Sequence, residues 1–396
     1  MHPSDAIAAA SHADPYPYYR QFLAGPELYF DANLQLWIAG RAAVIQDVFD
    51  NPCCLVRPSA EPVPRAIAGN AAGAVFARLM RMNEGAANTL PRQVIGQALA
   101  ALDPVAVRHR TEHFAAFLGK RNGLAEGAAL TRWIFDLPTC VVAGLLGVGQ
   151  AELPLVAQST AHFVRCLSPL STHEQLIDAS AAAEALNECF ARLVKTGTTA
   201  PTTLLAGVVR QAARAGWTDQ DAMLANLVGL LSQTHEATAG LIGNTLVALI
   251  KDPRLAARLR SDPGLAEALV VEVARLDPPI QNTRRFVAQA TSVAGVALQP
   301  GDTILLLLAA AGRDEQVHPQ PDALVLERAR RPLPGFGHGR HACPGPALAT
   351  SIAATAIRHL LAMPAGFDPA AFGWLYRPSA NARLPEFFNC AEKRQP

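Results

Sequence analysis

Apolar residues in this chain recur mostly at helical spacing, and the longest stretch of them sets the expected centre of the fold. Asp221 to Ile250 contains no proline and is apolar on nearly every face, which predicts a buried helix of about 45 Å at 1.5 Å per residue. The polar run Ser232-Gln233-Thr234-His235-Glu236 falls in its middle, and polar groups in such a place are costly unless they serve something. Asp103 to Thr198 also reads as helical, with breaks expected at Pro138, Pro154 and the turn from Leu167 to Thr172. Shorter helices are predicted for Arg41 to Phe49, Met82 to Leu99, Lys251 to Asp262, Pro263 to Leu276 and Ala347 to Leu361. Glu27 to Ala39 alternates at Leu28, Phe30, Leu34, Leu36 and Ile38, which predicts a short hairpin. Ser292 to Leu308 reads as small strands around a turn, while Pro58, Pro62 and Pro64 make Arg57 to Gly69 irregular. The sum is a mainly α chain with a smaller β-rich part.

Composition adds boundaries. With 396 residues, 50% of them hydrophobic and 17% charged, the chain can bury a large core. No Gly/Ser linker, charge block or repeat divides it, so one domain over residues 1–396 is expected. A formal net charge of +1 gives no argument for nucleic acid or an anionic membrane as partner. Cysteines at 53, 54, 140, 166, 189, 343 and 390 are odd in number and irregular in spacing. Together with a polar start from Met1 to Ala13, they point to a reducing, cytoplasmic setting without a membrane span.

The chemistry concentrates in Phe336-Gly337-His338-Gly339-Arg340-His341-Ala342-Cys343-Pro344-Gly345. Cys343 is expected at the N-terminus of the following helix, where the dipole and free N–H groups favour a thiolate, with Pro344 in the first turn. Gly337, Gly339 and Gly345 are expected to take angles a side chain forbids and to admit a flat ligand. Such a thiolate suits a soft or redox metal, haem iron among them. A buried structural cysteine is the plain alternative, but it leaves Phe336, Gly339, His341 and Gly345 without a reason. A zinc site from His338, His341 and Cys343 lacks an evident fourth ligand.

This segment resembles the cysteine-ligand loop of the cytochrome P450 family, Phe-x-x-Gly-x-His/Arg-x-Cys-x-Gly, at every fixed position. The resemblance implies a P450-like single domain binding haem b, with Cys343 as the iron ligand and Phe336, Gly337, His341 and Gly345 around the cofactor. Glu272 and Arg275 match the family's Glu-x-x-Arg pair, with Arg328 in place to complete a cluster that holds the cysteine loop. Arg285 and His341 match positions that supply cations to the haem propionates. Arg92 is a third, in a partial match where Asn88-Thr89-Leu90-Pro91-Arg92 stands for His-Thr-Arg-Leu-Arg. The long helix corresponds to the one crossing the distal haem face, Phe163 to Leu193 to the helices roofing the pocket, and Phe367 to Pro396 to the final sheet and loop.

The distal motif departs from the family. An acid followed by threonine is usual; here Glu236 is followed by Ala237. Thr238 is one place on, about 100° around the helix, and is expected to face elsewhere. Gln233 and Thr234 replace the usual small pair. Three explanations stand open: the substrate lends a hydroxyl or amine to the proton relay, Thr234, Gln233 or water replaces the missing hydroxyl, or the reaction is not ordinary hydroxylation.

The activity so implied is NAD(P)H-driven monooxygenation, with O2, of a small or medium apolar molecule. Electrons would come from an external ferredoxin and ferredoxin reductase, and Arg92, Arg330, Arg331 and Arg340 would form a basic face for the former. A P450-like enzyme for coupling, rearrangement or peroxide-driven chemistry is the second reading. A haem sensor with a protein ligand in the distal position is the third, although the nearest histidine, His235, is expected to point away. Residues 57–80 and 160–200 are expected to set substrate choice, with Phe76, Phe163, Leu230, Val287 and Leu305 to Leu308 as pocket-lining candidates.

Overall fold

The long apolar stretch is one helix, Gln220–Lys251, begun by the Asp219 side chain, which accepts a hydrogen bond from the Ala222 N–H. It runs through the middle of the computed structural model, which describes residues 2–197, 200–329, 332–363 and 366–390. Arg330 and Arg331 lie outside the described residues. Helices Gly127–Leu145, Leu265–Leu276 and Pro346–Leu361 pack along the long helix. Close approach is possible where it has no side chain: a Cβ on Gly240 would lie 2.6 Å from Pro279 Cβ, and one on Gly243 would lie 2.5 Å from Pro385 Cγ. The helix middle is thereby pinned against the Pro-Pro stop and the C-terminal loop.

Proline did not break the chain everywhere it was expected to. Helix Gly127–Leu145 continues straight through Pro138. Pro138 forfeits one donor, but all residues from Trp133 to Leu145 except Asp136 are buried, and packing holds the helix together. Among the described residues it is the one helix long and apolar enough to cross a membrane, and 78% of its apolar window is buried inside the fold. The break comes later: Pro154 sits in the first turn of helix Leu153–Phe163, and Thr172 caps helix His173–Thr196 with a reciprocal capping box to Gln175. The helix expected from Met82 instead begins as a 3₁₀ turn, Met80–Met82, and resumes as Ala86–Ala100 with Pro91 inside it.

Among the described residues the β part consists of a five-stranded sheet and two hairpins. The strands are β1 (Tyr29–Asp31), β2 (Leu36–Ala39), β3 (Cys54–Leu55), β4 (Thr283–Val287), β5 (Thr291–Val293), β6 (Val296–Leu298), β7 (Thr303–Leu306), β8 (Phe372–Tyr376) and β9 (Pro385–Asn389). The sheet order is β1-β2-β7-β4-β3, with β2 and β7 parallel and the other neighbours antiparallel. Arg285 pairs with Ile304 and Cys54 with Val287, so β4 lies between β7 and the edge strand β3.

Glu272 and Arg275, three residues apart and fully buried, form the pair read from the sequence at 2.7 Å. Arg328 joins the same carboxylate oxygen at 3.0 Å, and the Val325 N–H donates to it at 3.1 Å. Arg275 also donates to the carbonyls of Gly312, Pro321 and Ala323. One side chain on helix Leu265–Leu276 thus fixes the irregular run that leads to Cys343.

Candidate active site

The cysteine loop is closed by its own backbone: the Cys343 N–H donates to the Phe336 carbonyl at 2.7 Å. Gly337 and Gly339 have φ of +72° and +60°, the left-handed region that strains any residue with a Cβ. Gly345 differs from expectation, since its φ is −126° and the nearest atom to a Cβ there would be Leu99 Cδ1 at 3.7 Å. The helix starts at Pro346 with Gly345 at its cap. Pro346, not Pro344, is therefore the first-turn proline, and Cys343 stands just outside the helix. Its sulfur accepts the Gly345 N–H at 3.4 Å, and Arg92 donates to the adjacent Ala342 carbonyl. Burial nevertheless wins in the protein alone: it pushes the Cys343 thiol up, against the opposing Gly345 N–H and Arg92. Binding of a metal reverses that order, because a coordinating thiol is deprotonated outright.

Cys343 opens into a cavity of about 730 Å³ between its loop and the middle of the long helix, within the usual range for small-molecule sites. Phe336, Gly337, His341, Gly345, Arg92 and Arg285 border it on the cysteine side, and Gln233, Thr234, Glu236, Ala237 and Thr238 on the other. Arg285 is 5% exposed, lies 4.7 Å from the Phe49 ring centre, and among the described residues donates only to Thr283 Oγ1 and the Arg284 carbonyl. Its Nε is buried without a partner, and burial pushes its pKa down to about 10. No carboxylate among the described residues lies within 4.0 Å of it. A buried cation in this state calls for an anion from outside the chain.

The family model for cytochrome P450 matches residues 203–363. The biotin biosynthesis cytochrome P450 of Bacillus subtilis is 26% identical over 269 residues, 68% of each chain. Cytochrome P450 144 of Mycobacterium tuberculosis is 27% identical over 383 residues, 93% of this chain and 87% of that one. Among solved structures, P450BioI in complex with hexadec-9Z-enoic acid ligated acyl carrier protein superposes with a TM-score of 0.80 at 22% identity, covering 94% of this chain and 97% of that one. For this chain the family model and the curated relatives together support a bacterial cytochrome P450. It is a haem-thiolate monooxygenase with haem b as cofactor, taking O2, a small-molecule substrate and electrons from redox partners. The cavity of this P450 fits that group: it offers the Cys343 thiol for iron, the Arg285 guanidinium without a carboxylate partner among the described residues for a propionate, and apolar walls that include Leu99, Ala349 and Ile352.

His341 and Arg340 are engaged by the protein itself. His341 Nε2 lies 3.0 Å from Glu84 Oε2 and its Nδ1 lies 3.4 Å from Asn88 Nδ2. Arg340 shares the Glu84 carboxylate and donates to the carbonyls of Phe49, Asn51 and Cys54. Burial alone would raise the Glu84 pKa, but the His341 and Arg340 contacts outweigh it and hold the carboxyl below its ordinary value. Arg340 thus ties the cysteine loop to residues 49–54, while Arg92 donates to the Ala342 carbonyl and also borders the cavity. The zinc alternative also dissolves: His338 turns to Asp50 at 3.5 Å and His341 to Glu84, away from convergence on Cys343.

On the distal side, Gln233 Nε2 donates to the Gly229 carbonyl at 2.9 Å and Thr234 Oγ1 to the Leu230 carbonyl at 2.7 Å. Thr238, expected to turn away, is buried but borders the cavity as well, which reaches around more than one helix face. The Glu236 carboxyl makes no hydrogen bond or ion pair among the described residues, and burial pushes its pKa up against Arg377, Arg165 and Arg81. His235 packs instead on helix Gly127–Leu145, 3.1 Å from Thr139 Oγ1 and 5.3 Å from the Phe135 ring, with its pKa pushed down to about 3 by burial.

Phe76, Leu230 and Leu308 border the cavity as expected. Phe163, Val287 and Leu305 to Leu307 do not: they are spent in the core under the roof helices and in the sheet. Sequence reading missed Glu84 and the arginines Arg81, Arg165 and Arg377. Arg81 was legible in principle, as a lone charge in the apolar run from Val75 to Met82 broken otherwise only by Arg78. A larger groove of about 970 Å³ lies between the N-terminal segment and the end of the long helix, beside Tyr16, Lys251 and Arg313. It contains none of the candidate residues.

Proposed function

We propose that this P450 is one domain over residues 1–396 that inserts one oxygen atom of O2 into a small or medium organic molecule whose reacting part is apolar, with electrons from an external ferredoxin and ferredoxin reductase, in the cytoplasm. The observation that supports the reading is the convergence of Cys343, Glu236 and Arg285, which has no carboxylate partner among the described residues, on one cavity. Haem bound through Cys343 supplies the redox chemistry that cleaves the O–O bond, which an axial thiolate favours. Arg285 and Arg92 would hold its propionates, with His341 beside them; Phe336, Gly337 and Gly345 would shape the turn around Cys343. Charge-assisted bonds of this type contribute about 1.5–3 kcal/mol each. Arg285→Gln is therefore expected to release haem at least about tenfold faster, measured by transfer to an apo-globin acceptor; an unchanged rate removes Arg285 from the cofactor site.

Protons are the distal half of the problem. Glu236, buried and shifted toward its protonated form, is the group able to donate. Ala237 offers no hydroxyl to pass the proton on, and the Thr234 hydroxyl proton is already given to Leu230. Thr234 and Thr238 keep lone pairs that can accept, as does the Gln233 side-chain carbonyl. The arrangement favours relay through the substrate or ordered water over relay through a protein hydroxyl. Glu236→Gln should cut coupled turnover by about 10²-fold or more, the usual scale for losing a general acid, while substrate still binds. Ala237→Thr should bring no gain in coupling. Measuring product formed per NADH consumed checks both; a better-coupled Ala237→Thr enzyme would restore the ordinary alcohol relay.

The same replacement supports a second reading, a P450 doing coupling, rearrangement or peroxide-driven oxidation. Equal turnover with peroxide alone and with the complete electron-transfer chain would select it.

A further inference from the structure

Above the cysteine side, the cavity wall carries more positive than negative charge. Arg81, Arg165 and Arg377 border it, and Glu236 is the one carboxylate among the described residues that does. The three arginines are not alike. Arg377 is paired with Glu386 at 2.8 Å and lies over the Phe135 ring. Arg165 is exposed, at the rim. Arg81 is inside. It sits in the 3₁₀ turn Met80–Met82, its Nε is buried without a partner, and its guanidinium makes no hydrogen bond or ion pair among the described residues.

Arg81 is also on the substrate side of the cavity. Its titratable neighbours are Cys166, in the roof and neutral, and Glu236, on the long helix, whereas Arg285 has Glu84 and Arg340 as its own. A guanidinium stays charged at any working pH, and withdrawing part of one from water without a counter-ion is unfavourable. Glu236 lies beyond ion-pair distance and is itself shifted toward neutrality, so it balances Arg81 poorly. The planar fork of a guanidinium matches a carboxylate through two parallel hydrogen bonds. Apolar side chains continue from there: Ile67, Phe76, Val164 and Leu230 line the same space.

We propose that Arg81 anchors the substrate through an anionic group, and that the substrate is an organic acid with an apolar body, its carboxylate at Arg81 and its reacting carbon toward Cys343. This rests on the monooxygenase reading above and adds the substrate class to it. Arg165 at the rim draws such anions in, and the anchor fixes which carbon is presented.

The test uses the purified ferric holoenzyme with decanoate and 4-phenylbutyrate as probes and the matching primary amides as neutral counterparts. Binding is read by the Soret shift and, independently of the haem, by equilibrium dialysis. At least one acid should bind tenfold or more tighter than its amide. Arg81→Gln should remove that preference by weakening the acid tenfold or more and leaving the amide unchanged, and Arg81→Lys should restore part of it. Acids and amides binding alike, neither binding, or Arg81→Gln weakening both equally overturns the proposal. Loss of haem from Arg81→Gln also overturns it, by assigning Arg81 to the cofactor. The carbon monoxide difference spectrum of the same wild-type preparation separates the two levels. A missing thiolate band is failure of the monooxygenase reading, and a normal band without acid preference is failure of the anchor alone.

Discussion

Cys343→Ala is expected to abolish the thiolate-type Soret band of the dithionite-reduced protein with carbon monoxide, and with it oxygen insertion. The reason is local. Cys343 is the one cysteine among the described residues that borders the cavity beside Arg92, Arg285 and His341; Cys166, the other cysteine on the wall, lies in the roof. The side chain itself contributes little to the loop, which is closed by the Cys343 N–H to the Phe336 carbonyl and by Arg92 to Ala342, both backbone acceptors that alanine keeps. Alanine gives up only the weak hydrogen bond from the Gly345 N–H to sulfur. The variant should therefore fold, with an unchanged circular dichroism spectrum, and still take up some haem through Arg285 and the apolar walls. Turnover should drop by more than about 100-fold, or about 2.7 kcal/mol in barrier. A variant that keeps the thiolate band would place the iron on another sulfur, and Cys166→Ala would then be the next measurement.

The fold and the cysteine loop were legible for one physical reason: both are written in short-range terms. Helical apolar spacing gave the long helix to within a residue or two, and alternation gave the β1–β2 hairpin, because each depends on neighbours in sequence. What failed depended on packing from elsewhere. Pro138 breaks a helix in isolation but not one enclosed on all sides, and Phe163 and Val287 were free to be pocket or core until the roof and sheet took them. Arg340 shows the same limit in the site. Its sequence context reads as surface charge, but its place is set by Glu84 and three carbonyls from residues 49–54, some 290 positions earlier. Pro344 and Pro346 were indistinguishable as helix starters until Gly345 was seen to cap. Arg81 was marked in sequence only as a charge in an apolar run, and its meaning lies in having no ion-pair partner among the described residues.

Glu272→Ala should be among the most destabilising single substitutions in the chain. Glu272 and Arg275 are fully buried and Arg328 nearly so, and one carboxylate oxygen takes both guanidinium groups and the Val325 N–H. Removing it leaves two buried positive charges facing each other with only carbonyls for company, and breaking a buried ion pair from one side costs about 3–5 kcal/mol. Against a total of roughly 5–15 kcal/mol, that is a large share. At about 2.1 cal/mol/K per residue it corresponds to a fall of about 4–6 °C in melting temperature for a chain of this length. The damage should spread along the chain rather than stay local, since Arg328 also binds the carbonyls of Pro319, Gln320 and Ala323, which lead toward the cysteine loop. Haem should be lost before the helices melt. The pH dependence gives an independent check. Burial alone would raise the Glu272 pKa, but its hydrogen bonds from Arg275, Val325 and Arg328 outweigh that and hold the folded value below its ordinary one. A group depressed in the folded state contributes stability that is present above its unfolded pKa and is lost as pH falls through the folded value. Wild-type melting temperature should thus decline on acidification below about pH 4.5, the ordinary carboxyl value, more steeply than that of Glu272→Gln. Parallel acid profiles, or a melting temperature within a degree of wild type for Glu272→Ala, would show that the cluster is replaceable and that the carbonyl network alone holds the loop.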